Sequence, residues 1–357
     1  MHFKFVSLVF LIGIILFSCK KSNHEEQRAE SFIELQKLVL ADLSTNVIIS
    51  SYNDLAQTTI VLYSEIQSFN SNPTEQGLAN CRNLWKKSRQ IWEQSEGFLY
   101  GPVSTDNIDP RIDTWPVDYN ALEIVLASSN SFSPTEISEL DDALKGFHPI
   151  EYLLFGQNGS KTVSEFTSRE KSYLIALALN LKELTNSLVT SWDVNVSTNY
   201  VNYFKSPSSS NPIYTSLNLV YLEIVNALIG ICDEVANGKI KEPFVAQDPL
   251  LEESPFAFNS ITDFKNNIKS VQNVYLGKYS VDGKGLEDLV RANNLSLDNT
   301  IKSKIANALS ALDAIPSSFG DAIINSPIQV QNAIDDINNL RDELESRLLP
   351  FINTYIK

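Results

Sequence analysis

The chain has 357 residues, 43% hydrophobic and 20% charged, with 28 basic against 43 acidic side chains and a net charge of −15. So acidic a balance excludes nucleic-acid binding through phosphate contacts, which needs clustered Lys and Arg, and suits a soluble surface that draws cations. The length allows two domains or one large paired core.

The N-terminus reads Met1-His2-Phe3-Lys4, an apolar run from Phe5 to Phe17, then Ser18-Cys19-Lys20-Lys21. That run is too short to cross a hydrocarbon core of roughly 30 Å and has the layout of a secretory signal. Leu16-Phe17-Ser18-Cys19 resembles the lipobox of bacterial lipoproteins. The resemblance implies cleavage after residue 18 and acylation of Cys19, which would fix the protein to a membrane; an ordinary signal with an incidental cysteine is the alternative. Residues 19–30 are polar and would form the tether, and Lys20 after the cysteine points to the outer membrane of the cell envelope. Cleavage would remove Lys4 alone among the charged side chains, leaving 27 basic groups against 43 acidic.

From there the periodicity is helical nearly throughout. Leu35, Leu38, Val39, Leu43 and Val47, then Leu55, Thr59, Leu62, Ile66 and Phe69, recur at three and four. Asn72-Pro73 breaks this pattern and Thr74 can cap the next helix, which carries Leu84, Trp85, Ile91, Trp92 and Phe98 up to Gly101-Pro102. Residues 102–117, with three prolines, read as a loop; short helices follow at 118–127 and 134–145. Long helices are expected over 166–201 and 214–237, an irregular stretch over 242–259, and helices at 261–276, 285–293, 297–313 and 327–353. The prediction is an all-α protein of two side-by-side four-helix bundles, with domain limits at 31–240 and 241–357. Cys81 and Cys232 fall in apolar helical patterns, so buried free thiols and a bridge both remain open.

The stretch Gly146-Phe147-His148-Pro149-Ile150-Glu151-Tyr152-Leu153-Leu154-Phe155-Gly156 carries the most chemistry. Proline favours the first position of a helix, which makes His148 the expected cap and Gly156 the stop. His148 and Glu151 then share a face three residues apart and can converge on a metal. The plainer reading is a short helix whose Glu151 bonds back to its exposed amides. His2 lies in the signal and His24 in the tether, so His148 is the one histidine of the folded body. There is no His-Glu-x-x-His, and one imidazole with carboxylates suits iron, manganese or calcium as well as zinc.

Gly146-x-His148-x-x-Glu151 resembles the signature of the imelysin (peptidase M75) family, which includes lipoproteins of bacterial iron uptake. Trp85-Lys-Lys-Ser-Arg89-x-x-Trp92-Glu-x-Ser-Glu96-Gly-Phe98, Ile112-Asp113-Thr114-Trp115-Pro116, Glu253-Ser254-Pro255-Phe256 and Asn273-Val274-Tyr275-Leu276-Gly277 are similar to further motifs of that family, in the same order. The resemblance implies a metal site at the junction of two bundles in which Glu96 and Asp113 join His148 and Glu151. Glu96 closes a helix lined with aromatics, where a buried carboxylate needs a partner; it could instead face solvent, and Asp113 could simply cap a turn. Arg89, Glu123, Glu223 and Glu253 are candidate supporting partners, each equally explained by a surface ion pair. Tyr152 could place its hydroxyl near the site or pack in the core.

Three functions follow. A metal-binding lipoprotein that works with envelope iron-uptake components fits the charge, the anchor and the oxygen-rich ligands; its ion would be iron, with zinc or calcium as alternatives. A metallopeptidase needs an activated water and a general base, and either glutamate spent as base thins the ligand set. A docking lipoprotein with a vestigial site is the third.

Overall fold

A computed structural model describes the backbone of residues 15–357 and the side chains from residue 27 onward. Most of the expected signal sequence, and the Cys19 side chain with its acylation, lie outside the described residues. Among the described residues there is no strand, only an isolated bridge between Lys278 and Asp282, so the chain is all-α.

Helix α1 (Ile15–Asp42) takes in the stretch read as a tether and continues through one π-helical turn, Leu43–Ile49, into α2 (Ser50–Ser71). The Asn72-Pro73 break stops α2. Thr74 caps α3 (Glu75–Glu93), its hydroxyl accepting from the Gly77 amide at 3.0 Å, as the sequence predicts. The supposed loop that follows holds two short helices, Pro102–Thr105 and Ile108–Asp113. Pro102 and Pro110 sit in first turns, where an amide is not required, so they start helices instead of breaking them.

Helices Tyr119–Ala127 and Pro134–Glu139 lead to α4 (Phe147–Phe155). That helix opens at Phe147 behind Gly146, so His148 lies inside its first turn and is not the cap; Gly156 ends it as expected. Next come α5 (Ser168–Ser191), shorter than predicted, and α6 (Leu217–Asp233), which runs on through a π-helical turn, Glu234–Ile240, to Lys241–Ala246. The irregular stretch therefore begins later than the prolines suggest. Then follow α7 (Ser260–Leu276), α8 (Leu295–Asp313) and α9 (Pro327–Glu343), with a helix at Phe319–Asn325 that the sequence reading omits.

Helices α2, α3, α4 and α5 pack as one bundle and α6, α7, α8 and α9 as a second. Leu55, Leu62, Ile66, Trp85, Leu177 and Leu181 fill the first; Ile224, Val271, Ile301, Ile305, Val330 and Ile337 fill the second. Each such side chain contributes roughly 1.5–3 kcal/mol through burial. A hydrogen bond of 2.7 Å between Thr59 and Thr185 pins α2 to α5. The bundles meet where α3 and the turn Glu96–Phe98 lie on α7. Cys81 and Cys232 are both buried and free, so the open choice is resolved against a bridge.

Candidate metal centre

Spacing of three and four along α3 puts Trp85, Arg89, Trp92 and Glu93 on one buried stripe. The Arg89 guanidinium is fully buried and reaches four carboxylates. It pairs with Glu93 one turn on, with Asp113, with Glu253 at 2.9 Å and more distantly with Asp263 at 3.9 Å, while its flat face lies 5.2 Å from the Phe147 ring centre. A planar five-donor fork is the one cationic side chain able to serve so many oxygens at once. Asp113 ends the short helix Ile108–Asp113; its second oxygen accepts from the Trp92 indole at 2.6 Å.

Gly146 explains how α4 reaches Asp113. Its backbone sits at φ +83° and ψ −155°, a region open essentially to glycine alone, and an added Cβ would lie 2.2 Å from the Ile112 carbonyl oxygen. The missing side chain lets the start of α4 lie directly on the Asp113 segment. His148 consequently has Nε2 3.1 Å from Asp113 Oδ1 and 3.8 Å from Glu253 Oε1. The angles are not those of a hydrogen bond, and both ring nitrogens, buried at 2% exposure, lack a partner, as does Glu253 Oε2.

Glu151 stands on the other side of the ring, with Oε2 3.6 Å from His148 Nδ1. Its Oε1 accepts from the Phe256 and Ala257 amides at 3.0 and 2.8 Å, so it bonds to the second half of the chain and not to the first turn of its own helix. Glu96 belongs to a neighbouring cluster: its Oε2 accepts from Lys239 at 3.2 Å and from Asn267 at 2.7 Å, and Asn267 also donates to Glu93 at 2.5 Å. Lys239, carried by the π-helical turn, also lies 3.2 Å from Glu253.

Within this seam Glu93, Glu96, Asp113, Glu151, Glu253 and Asp263 face two permanent cations, Arg89 and Lys239. Burial raises the Glu93 carboxyl to about 8 despite Arg89 and Lys239. Burial and then the Glu93 charge push Glu96 well above its ordinary range, and burial lifts Asp263 to about 6 against Arg89. Asp113 is the contrast: burial opposes its ionisation, but Arg89 and then His148 hold it well below the usual carboxylate range. Burial disfavours the imidazolium of His148, yet the Asp113 and Glu151 carboxylates raise it to about 9. Crowded carboxylates with too few cations are relieved by a bound cation.

Two groups of three side chains each place an oxygen or nitrogen within 4.8 Å of the others: Asp113, His148 and Glu253, and Glu93, Glu96 and Asp113. The structure thus brings His148, Asp113, Glu151, Arg89 and Glu253 together and puts Glu96 alongside. Glu123 is elsewhere, on the Tyr152 hydroxyl at 2.8 Å, and Glu223 lies with Tyr200 and Tyr214. Sequence reasoning passed over Glu93, Lys239, Asp263 and Asn267. Glu93 could have been found from its i,i+4 spacing to Arg89; Lys239 carries no local signal.

Comparison with known proteins agrees with this architecture. The sequence profile of the imelysin family matches residues 48–347. The chain is 30% identical over 312 residues to iron-regulated protein A of Synechococcus elongatus, spanning 86% of this chain and 84% of that one. A crystal structure described as a candidate iron-regulated protein A precursor from Parabacteroides distasonis shares 24% identity and superposes with a TM-score of 0.81 over 91% of this chain and 95% of that one. An imelysin-like protein from Psychrobacter arcticum, at 15% identity, gives a TM-score of 0.72 over 90% and 96% of the two chains. With the helix order, the paired bundles and the profile in agreement, the chain belongs to the imelysin family.

Proposed function

We propose that this chain is a cell-envelope lipoprotein that binds iron as a metal ion and takes part in iron uptake, with Asp113, His148 Nε2 and Glu253 as the direct ligands. One observation carries the reading: a buried imidazole without a hydrogen-bond partner has its Nε2 3.1 Å from Asp113 and 3.8 Å from Glu253, whose other carboxylate oxygen is also buried and unpartnered. Leaving such groups unpaired costs about 1–3 kcal/mol apiece, and an ion between Asp113 and Glu253 would satisfy His148 Nε2. Glu151 lies 3.6 Å from Nδ1, on the side from which outer carboxylates orient a metal-bound histidine. Glu96 and Glu93 add negative potential from the adjoining cluster. The family and the name of the Synechococcus relative support iron, and the single nitrogen among oxygens suits a hard ion. A peptidase reading is less well supported, because a glutamate spent as general base would thin a ligand set that has a single histidine.

The test is calorimetric titration of the whole chain, stripped of metal, with ferrous iron, zinc and calcium. Stoichiometric iron binding abolished by His148→Ala and Glu253→Gln, and weakened about 10–100-fold by Glu151→Gln, is the expected result. Equal binding by wild type and His148→Ala would refute this ligand set.

A further inference from the structure

One oxygen of Glu253 already has cationic company. Its Oε1, the atom 3.8 Å from His148 Nε2, accepts from Arg89 at 2.9 Å and from the Lys239 ammonium at 3.2 Å. A metal ion bonded to that oxygen would stand beside the ammonium, so ion and lysine compete for one place. The two cations of the seam are not alike. Arg89 is fully buried and reaches only acids enclosed in the seam. Lys239 lies at its rim: Glu96 and Glu253 at 3.2 Å and Glu93 at 3.8 Å are buried, but its fourth acid, Glu234 at 3.6 Å, has a side chain 56% exposed.

The backbone sets up this bridge from inside to outside. Glu234 and Lys239 are five residues apart in the π-helical turn Glu234–Ile240. The i to i+5 repeat of such a turn stacks them on one face, where an α-helix would turn them well apart. Lysine also suits a part that moves, since its ammonium is compact, readily hydrated and carried on a flexible stem, whereas the guanidinium of Arg89 is a rigid fork. Asp109, half-buried one turn before Asp113, adds an acid on this side; the charges acting on it are those of Asp113, Glu234 and Lys239.

We propose that Lys239 is an internal cation that occupies the rim of the metal site until an incoming ion displaces it, its ammonium withdrawing from Glu96 and Glu253 to Glu234 and solvent. The inference rests on the metal-binding reading above and adds to it a built-in competitor. The ammonium keeps its proton throughout: one positive charge moves outward as the charge of the ion arrives. In the empty site the lysine offsets carboxylates that would otherwise repel one another; in the filled site the ion does. Only an ion held more strongly than a tethered ammonium enters.

The experiment pulses the whole metal-free chain with N-hydroxysuccinimidyl acetate, with and without saturating ferrous iron in the absence of air, and follows acetylation of Lys239 by peptide mass spectrometry. If the ammonium is withdrawn in at most about a tenth of empty molecules and in nearly all filled ones, iron should speed this labelling at least about tenfold. Lys161, a buried ammonium paired with Glu170, should keep its rate. Lys239→Met removes the competitor and should bind ferrous iron at least about tenfold tighter than the wild type, yet melt at a lower temperature when metal-free. A lysine that only holds the fold together would lower affinity and stability alike. Should that variant fail to fold, the labelling of the wild type decides alone. Iron binding by the wild type without faster labelling of Lys239, or with equal or weaker affinity in folded Lys239→Met, overturns the proposal and leaves the metal site standing. If the wild type takes up no iron, uptake by Lys239→Met still supports the competitor, and failure of both overturns it together with the metal-binding reading.

Discussion

Gly146→Ala tests the packing that delivers His148 to Asp113. Two costs add. Forcing a side chain into the φ +83°, ψ −155° conformation costs about 1–3 kcal/mol. The new methyl would stand 2.2 Å from the Ile112 oxygen, so the start of α4 must retreat about 1 Å to reach an ordinary carbon–oxygen contact of roughly 3.3 Å. Overpacking of that kind costs about 1–3 kcal/mol more. The sum, about 2–6 kcal/mol, should lower the urea midpoint by roughly 1–2 M when unfolding is followed by circular dichroism. The same retreat carries the imidazole off Asp113, so iron affinity in the folded variant should fall at least about tenfold. Gly230→Ala is the matched control: this helical glycine has nothing within 4 Å of an added Cβ, and the change should stabilise by about 0.5–1 kcal/mol. A loss below about 1 kcal/mol for Gly146→Ala, or responses of the same sign at both glycines, would refute the argument.

Arg89→Leu should cost about 3–5 kcal/mol in urea unfolding, because Asp113, Glu93 and Glu253 lose the buried charge that balances them; a change under about 1 kcal/mol would show that water or protonation compensates. Trp92→Phe keeps the aromatic volume but strips Asp113 Oδ2 of its donor, and should cost about 1–3 kcal/mol; unchanged stability would mean that the indole bond contributes nothing net. Cys81 and Cys232, each pushed up to about 12 by burial, should resist a disulfide thiol reagent at pH 8 until the protein is denatured, and rapid native labelling of either would contradict their packing. Cys19→Ser should abolish palmitate labelling and move the chain from the membrane fraction to the soluble one; a wild type that takes up no label would remove the lipid anchor from the functional reading.

Much of the fold was legible because burial on one side of a helix writes itself into the sequence at three and four. The apolar positions Trp85, Ile91 and Trp92 and the Thr74 cap are local facts, and the structure keeps them. The misplaced segments are equally instructive. Ile108–Asp113 was hidden because Pro110 lies in a first turn, where proline helps, and the sequence pattern alone does not distinguish that from a break. The site was legible where it is local and hidden where it is not. Asp113 and His148 stand out in their motifs and meet at 3.1 Å. Lys239 does not, since Asn237-Gly238-Lys239 reads as a polar surface turn, and only the packing of α6 against both bundles sets its ammonium among buried carboxylates. Glu223 was a candidate supporting partner of the metal site, but the path of the loop at 206–214 gives it to Tyr200 and Tyr214 instead.

The charged seam has a consequence for how the chain is divided. Arg89 and Glu93 come from the first bundle, while Glu253, Asp263 and Asn267 come from beyond it. Cut into halves, one fragment would keep the arginine, and the other would expose Glu253 and Asp263 without it, so neither half has a balanced interior of its own. The two bundles are therefore expected to unfold together in a single cooperative transition, and an evolutionary exchange of one bundle for another would succeed only if the incoming half brought matching acids to the seam.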